Sequence, residues 1–315
     1  MKKFTCVITN PPYNSPRETS KPSNDIYPKF IEKAFELSDR YVIMITKSTW
    51  MNKSSLSEFK HKMICEFGVN KINHYNDNPF LGTDISGGVS YFVIDKKNIE
   101  ETFLLNNNPF NRAESNQILP YKLNNKEVNL FRKINNFKKL NLSNYNSKGN
   151  LGIATNDKRL LSESRGNDIE CHVSKQKGFI KYFPEELITE KIKSMLKKLK
   201  IFITATDGGN SFSLGRVFKS EENQISNDSF IFLTFDNLLT REKFYQYMNT
   251  KLFRVVVSFI KTGRHISINT FSLVPEIDLN RMEVVNDENV YKYLNLTQED
   301  IEIIEERSRR LKLLK

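Results

Sequence analysis

The stretch TCVITNPPYNSP, residues 5–16, is an apolar run that stops abruptly at Asn10-Pro11-Pro12-Tyr13. Phe4 to Thr9 is rich in Val, Ile and Thr without alternation, which predicts a strand covered on both faces. The two prolines cannot extend a strand and stiffen the turn that follows. In such a corner the Asn10 side-chain carbonyl and the Pro11 backbone carbonyl can point at one spot. Two convergent acceptors suit an exocyclic amino group, which offers two N–H donors. Held that way, the nitrogen lone pair is drawn out of conjugation and becomes nucleophilic. Tyr13 supplies a flat face on which a planar base can stack, a contact worth about 1–3 kcal/mol. The chemistry suggested is attack of an amino nitrogen on an electrophilic methyl group, with positioning supplying much of the rate.

The surrounding pattern gives this corner a place in a fold. PKFIEKAFELS (28–38) carries Phe30, Ile31, Ala34, Phe35 and Leu37 at helical spacing, with Pro28 at the start. Tyr41 to Thr46 is a second apolar strand, so the order strand–helix–strand predicts a βαβ unit. A second helix fits Ser54 to Phe67, and further strands fit Asn70 to Tyr75 and Gly88 to Ile94. The first hundred residues therefore read as half of a parallel α/β sheet, and in open α/β sheets ligands bind beyond the carboxyl ends of strands. Asn106-Asn107-Asn108-Pro109 reads as a linker. Two domains are expected, 1–108 and 109–315. Past the linker come a helix around Lys126 to Phe137, strands at Ile201–Ala205 and Phe230–Phe235, and helical spacing over Arg241 to Phe259. A C-terminal helix follows over Thr297–Lys315, with Thr297 and Asp300 as its cap.

Composition narrows the class. Lys and Arg outnumber Asp and Glu 48 to 37, a net charge of +11, which favours a polyanionic partner or reflects a Lys- and Asn-rich coding bias. No apolar run is long enough for a bilayer, and Met1-Lys2-Lys3 leads straight into the first strand rather than into a signal peptide. Cys6, Cys65 and Cys171 are odd in number and widely spaced, so neither a disulfide framework nor a zinc site is expected. The compartment expected is the cytoplasm.

Asn-Pro-Pro-Tyr after an apolar strand resembles the catalytic motif of amino methyltransferases. DIYPKFIEKAFELSDRYVIMITKSTWM (25–51) and NPFLGTDISGGVSYFVIDK (78–96) are similar to segments of TaqI-like, gamma-class DNA adenine methylases of restriction–modification systems. Those proteins show I-Y-x-x-F-x-x-x-A, T-P-S-x-W and V-F-P-G-x-D-I-x-G-G-V-x-Y-F in that order. The resemblance covers residues 4–95, and more loosely 175–305, where YMNTKLFRVVVSFIKTGRHISINTFSLVPEID resembles the target-recognition portion. It implies a partial Rossmann-like methyltransferase sheet followed by a mixed α+β recognition domain. It also implies site-specific N6-adenine methylation of double-stranded DNA, with the target base flipped out of the duplex. The catalytic residues implied are Asn10, Pro11, Pro12 and Tyr13. Phe80 stands as the second stacking aromatic, with Tyr91 as fallback and core packing as the ordinary reading of both. Lys47 stands where the motif has Pro, while Trp50 is retained.

The methyl donor implied is S-adenosylmethionine, whose Gly-rich F-x-G-x-G turn lies upstream of this motif in the family. Only three residues precede Phe4, and IFITATDGGNSF (201–212) lacks that glycine spacing. The expectation is a subunit, truncated product or relic, with the cofactor turn on a second subunit and its residues unassigned here. DNA contacts are expected from Arg17 and Lys21, in a polar stretch that closes over the base or lies in solvent, and from Lys261, Arg264 and His265. KIKSMLKKLK (191–200) is either a phosphate-facing or a solvated helix face. No metal site is expected. The alternatives are a catalytically inactive DNA-binding specificity or regulatory protein, a protein-glutamine or RNA methyltransferase, and a nuclease built on Asp84 and Asp95-Lys96-Lys97.

Overall fold

In the computed structural model the described residues are 3–15, 24–75, 79–80, 82, 85, 87–114, 118–141, 151–173, 179–206, 213–261, 266 and 268–311. The chain forms two compact units, Met1–Val128 and Asn129–Lys315.

The first unit is built on a six-stranded sheet. Strand β1 (Phe4–Thr9) is followed by helix α1 (Tyr27–Leu37) and strand β2 (Ser38–Lys47); β3 (Lys71–His74), β4 (Val89–Asp95), β5 (Thr102–Leu105) and β6 (Asn108–Asn111) complete the order β1-β2-β4-β3-β5-β6. The strand–helix–strand unit is present as expected, with Val7 beside Val42 and Thr9 beside Met44 in parallel register. Strand β4, however, runs antiparallel to both β2 and β3. Only β1–β2 and β3–β5 are parallel, so the expected parallel half-sheet is a mixed one. The apolar pattern of a buried strand marks its faces and leaves its direction open, which is why β4 read the same either way.

Helix α1 buries Tyr27, Ile31 and Ala34. Residues 54–66 form the second helix as three short pieces: a 3-10 turn at Ser54–Leu56, an α turn, α2, at Ser57–His61 and a π turn at Lys62–Glu66. Aromatic contacts join the two helices: Phe35 stacks on Phe67 at 4.1 Å, and Tyr27 meets Phe59 edge to face at 6.5 Å. Val42, Met44, Ile72, Phe92 and Ile94 form the buried side of the sheet. The opposite side is half-exposed along the row Ile8–Ile43–Val93–Lys71, paired in register across four strands. Its outermost strand, β1, leaves Phe4 62% and Ile8 72% exposed. Strand β1 is therefore an edge strand, not one covered on both faces.

The expected linker is a tight hairpin turn. Asn106 and Asn107 take positive φ values of 49° and 63° between β5 and β6, a conformation that Asn tolerates and two-residue hairpins demand. Residues 108–111 pair back onto 102–105, and the compact unit runs on to Val128.

The second unit holds two three-stranded sheets. One has β9 (Leu199–Thr204) between β10 (Val217–Ser220) and β12 (Phe230–Phe235); the other has β7 (Ile169–His172) between β8 (Ile180–Phe183) and β11 (Gln224–Ser226). Cys171, Phe183, Phe202, Ile225, Phe230 and Phe232 belong to one shared apolar cluster. Helix α3 (Asn125–Asn135) spans the division between the units. It is followed by α4 (Glu190–Leu196), α5 (Leu238–Met248), α6 (Lys251–Ile260), α7 (Asp287–Tyr293) and α8 (Gln298–Arg310). Every side chain of α6 from Leu252 to Phe259 is buried. Helix α8 is tied to it by Arg307, which donates to the Ser258 hydroxyl at 2.7 Å. Thr297 and Asp300 form the expected reciprocal cap of α8. Among the described residues no helix is long and apolar enough to cross a membrane.

Gly88, at φ +73°, enters β4 so close to His74 that an added Cβ would lie 2.6 Å from its Cε1; Gly82, at φ +74°, has nothing within 4 Å. Gly82→Ala should cost about 1–2 kcal/mol for its backbone alone. Gly88→Ala should cost about 1–3 kcal/mol more from overpacking, read from urea unfolding of the two variants.

Candidate active site

Parallel strands exit a sheet on the same side, so the β1 and β2 exits lie at one edge. Strand β3 ends there too, and antiparallel β4 begins there. At the β1 exit Asn10 is exposed, Pro11 buried, Pro12 exposed and Tyr13 half-buried. The Tyr13 hydroxyl donates to Asn10 Oδ1 at 3.0 Å, which fixes the amide with its oxygen at the corner. The oxygen's second lone pair can accept a further donor. The Tyr13 ring meets the edge of the fully buried Tyr27 at 6.4 Å and 83°. Burial pushes the Tyr13 phenol up to about 12, so it stays a hydrogen-bond donor throughout the neutral range.

A short stem follows the corner. Ile26 N–H donates to the Tyr13 carbonyl at 3.0 Å, and Ser15 N–H to the Asn24 carbonyl at 2.9 Å. Asn14 and Asp25 face each other across it in an antiparallel bridge. Asp25 receives Lys47, the last residue of β2, at 3.3 Å and Lys53 at 2.5 Å.

At the β2 exit, Ser48–Met51 make a 3-10 turn that buries Trp50 and Met51 completely. Ser48 N–H donates to the Gly88 carbonyl at 3.0 Å, and its hydroxyl lies 2.8 Å from His74 Nδ1. His74 in turn meets Tyr121 edge to face at 4.9 Å. Burial, with the positive charge of Lys122 nearby, pushes the His74 imidazole down to about 4. A neutral histidine thus joins the ends of β2 and β3 to the start of β4.

The other expected residues fare differently. Phe80 is half-buried in the connection from β3 to β4. Tyr91 sits within β4, where its hydroxyl accepts from Asn73 and its ring meets Tyr75 at 5.9 Å. Lys261 is 2% exposed and its ammonium donates inward to the Ser213 carbonyl at 2.7 Å, which removes it from any phosphate-facing surface. Arg17, Lys21, Arg264, His265 and Asp84 lie outside the described residues, as does the turn 207–209. Asp95 is paired with Arg40 at 3.2 Å. Lys96 donates to the carbonyls of Phe35 and Ser38 at 2.9 Å each. No group of three or more metal-ligating side chains occurs among the described residues. The lysine run 191–200 is split: Lys191, Lys193 and Lys197 are exposed on or just after α4, whereas Lys200 is buried in β9. Asp25, Lys53, Ser48 and His74 escaped the sequence reading. Only Asp25 had a visible cue, standing just ahead of the IYPKF helix start.

Residues 1–80 match the Eco57I restriction-modification methylase family. A curated relative described as an uncharacterized adenine-specific methylase, from Mycoplasma pneumoniae, is 28% identical over 145 residues, 42% of this chain and 34% of the relative. The chain is related to the restriction-modification methylases. It spans about a third of that relative's length. Among solved structures, the DNA complex of the type IIL restriction-modification enzyme MmeI aligns at 10% identity and a TM-score of 0.48, over 98% of this chain and 57% of that one. The type IIG restriction endonuclease BpuSI aligns at 10% identity and a TM-score of 0.37, over 89% and 45%.

Because His74 titrates near 4 when folded and near 6.5 when unfolded, its contribution to stability is present above pH 6.5 and lost as pH falls through 4. Between pH 7 and 4.5 the stability difference between the wild type and His74→Gln should shrink by about 2 kcal/mol, measured by urea unfolding at both pH values.

Proposed function

We propose that this chain is the catalytic and target-recognising part of a restriction–modification methylase that methylates N6 of adenine in double-stranded DNA. The observation that carries the reading is the Asn10 amide, held by Tyr13 at 3.0 Å on an exposed strand exit, within the segment matching the methylase family. The target adenine leaves the duplex at a cost of a few kcal/mol, offset in part by stacking on Tyr13 and Phe80. Asn10 Oδ1 and the Pro11 carbonyl accept the two amino hydrogens and turn the nitrogen lone pair outward. The donor, S-adenosylmethionine, supplies the electrophilic methyl group. Its binding residues are assigned in this proposal to a second subunit, because the edge of β1 is open to a further strand. The open edge of β1, with Phe4 and Ile8 exposed, is where that subunit adds its strand. Phosphate contacts fall to Arg17, Lys21, Arg264 and His265, and to the exposed lysines of α4.

The second reading is a DNA-binding protein without chemistry, which the exposed lysines of α4 alone would support. Transfer of labelled methyl groups to duplex DNA separates the two, assayed on the chain alone and together with the product of the adjacent reading frame. Asn10→Ala should lower transfer about 10²–10³-fold while DNA affinity stays within about threefold, since phosphate contacts dominate binding. Undiminished formation of N6-methyladenine by Asn10→Ala removes the assigned role. Salt-sensitive DNA binding with no transfer in either setting favours the second reading.

A further inference from the structure

The stem behind the Asn10–Tyr13 corner is fastened by charge. The Asp25 side chain is only 9% exposed and Lys47 15%, while Lys53 is 49% exposed. Lys47 Nζ donates to Asp25 Oδ1 and to Asn14 Oδ1 at 3.3 Å each, and Asp25 Oδ2 accepts from Lys53 Nζ. Asn14 and Asp25 pair in the antiparallel bridge of the stem, and the neighbouring Tyr13 carbonyl takes Ile26 N–H across it. Two lysines on and just beyond β2 therefore hold the paired stem residues Asn14 and Asp25, next in the stem to Tyr13 and Ile26. Burial alone would raise the Asp25 carboxyl, but the hydrogen bond from Lys53 and the charge of Lys47 outweigh it and hold it below the usual carboxylate range.

We propose that Asp25 is a positioning residue, which locks the stem of the Asn10–Tyr13 corner to the β2 exit through Lys47 and Lys53 and so sets the reach of Asn10 toward its substrate. The proposal rests on the methyltransferase reading for its consequence, though not for its geometry. Neutralising Asp25 leaves two ammonium groups facing each other beside the stem, one of them mostly buried, and an unpaired buried charge forces the surroundings to move. Tyr13 is the residue that would move with them, and its hydroxyl is what orients Asn10. A displacement on the order of 1 Å at a reacting group costs about 10²-fold in rate.

The test uses the full chain and two readouts. The first needs no methyl transfer: nitration of Tyr13 by tetranitromethane at pH 8, followed by peptide mapping. In the wild type the half-buried, protonated phenol should react slowly, and in Asp25→Asn at least about tenfold faster as its titration falls back toward the ordinary tyrosine value. The second is kinetic, in the reconstituted methylation assay. Asp25→Asn should lose about 10²-fold in kcat with KM for DNA within about threefold, and the reversal Asp25→Lys with Lys47→Asp should regain at least about tenfold of that loss. Where Asp25→Asn does not fold, Lys47→Met, which leaves Lys53 on the carboxylate, carries the same two readouts. Wild-type nitration of Tyr13 in a folded variant overturns the proposal, as does a lowered melting temperature with kcat unchanged. No transfer by the wild-type chain in any setting sinks the methyltransferase reading, and the nitration result then still decides whether the clamp exists.

Discussion

Parallel pairing of β1 with β2 is the constraint on which the first unit depends. With Thr9 beside Met44, both strands must leave the sheet in one direction, so the Asn-Pro-Pro-Tyr corner and the Lys47–Trp50 turn emerge at a common edge. The antiparallel course of β4 brings its first residues to that edge as well. Gly88, Ser48 and His74 consequently meet there although 26 residues separate Ser48 from His74. The fully buried Tyr27 anchors the arrangement, meeting both the Tyr13 and the Phe59 rings edge to face. The corner is thus a surface feature with a buried foundation, and its amide is held in one orientation by Tyr13.

The other physical fact of the unit is its asymmetry. One sheet face carries α1 and the helix over 54–66, while the opposite face leaves Ile8, Ile43, Ile45 and Val93 only partly covered. Mixed and parallel sheets are ordinarily sandwiched between helices, and an edge strand with bare apolar side chains invites pairing. Covering Ile8 or Phe4 is worth about 1.5–3 kcal/mol each. That bare surface belongs to β1, the strand that leads directly into the Asn10–Tyr13 corner.

How much of this could be read from the sequence follows from the range of each interaction. The helix at 27–37 was legible nearly to the residue because its buried stripe recurs at helical spacing, and Phe4–Thr9 and Phe230–Phe235 because their Val, Ile, Phe and Thr favour strands. The helix predicted over 54–67 was legible as a helix, but its division into 3-10, α and π turns was not, since that is set by how Phe59, Met63 and Ile64 reach the core. The direction of β4 was hidden because strand pairing is non-local. Asn106-Asn107 was misread although its signal was local: two adjacent residues tolerant of positive φ mark a hairpin as well as a linker. In the candidate site, Asn10 to Tyr13 stood out as a contiguous motif. Asp25, Lys53 and His74 did not, because each owes its role to a partner more than twenty residues away. The first compact unit runs to Val128, past the boundary expected at residue 108, for the same reason as the Asn106-Asn107 hairpin.

Burial also changes what the net charge of +11 means. Counterion release counts only cations that can reach a phosphate, and many of this chain's basic side chains are spent internally. Lys261, Arg112 and Arg254 are buried and donate to main-chain carbonyls of Ser213, Ile64 and Leu214. Lys200, inside β9, donates to the Lys198 carbonyl, and burial pushes its ammonium down to about 8. At the corner itself Asp25 takes up two lysines. The surplus charge is therefore in part a structural device, in which long basic side chains satisfy carbonyls that the irregular connections would otherwise leave unpaired. The share open to a polyanion is confined to the exposed cations, so composition alone overstates the electrostatic footprint. Among the described residues, those of α4 and its exit (Lys191, Lys193 and Lys197) carry the clearest outward display.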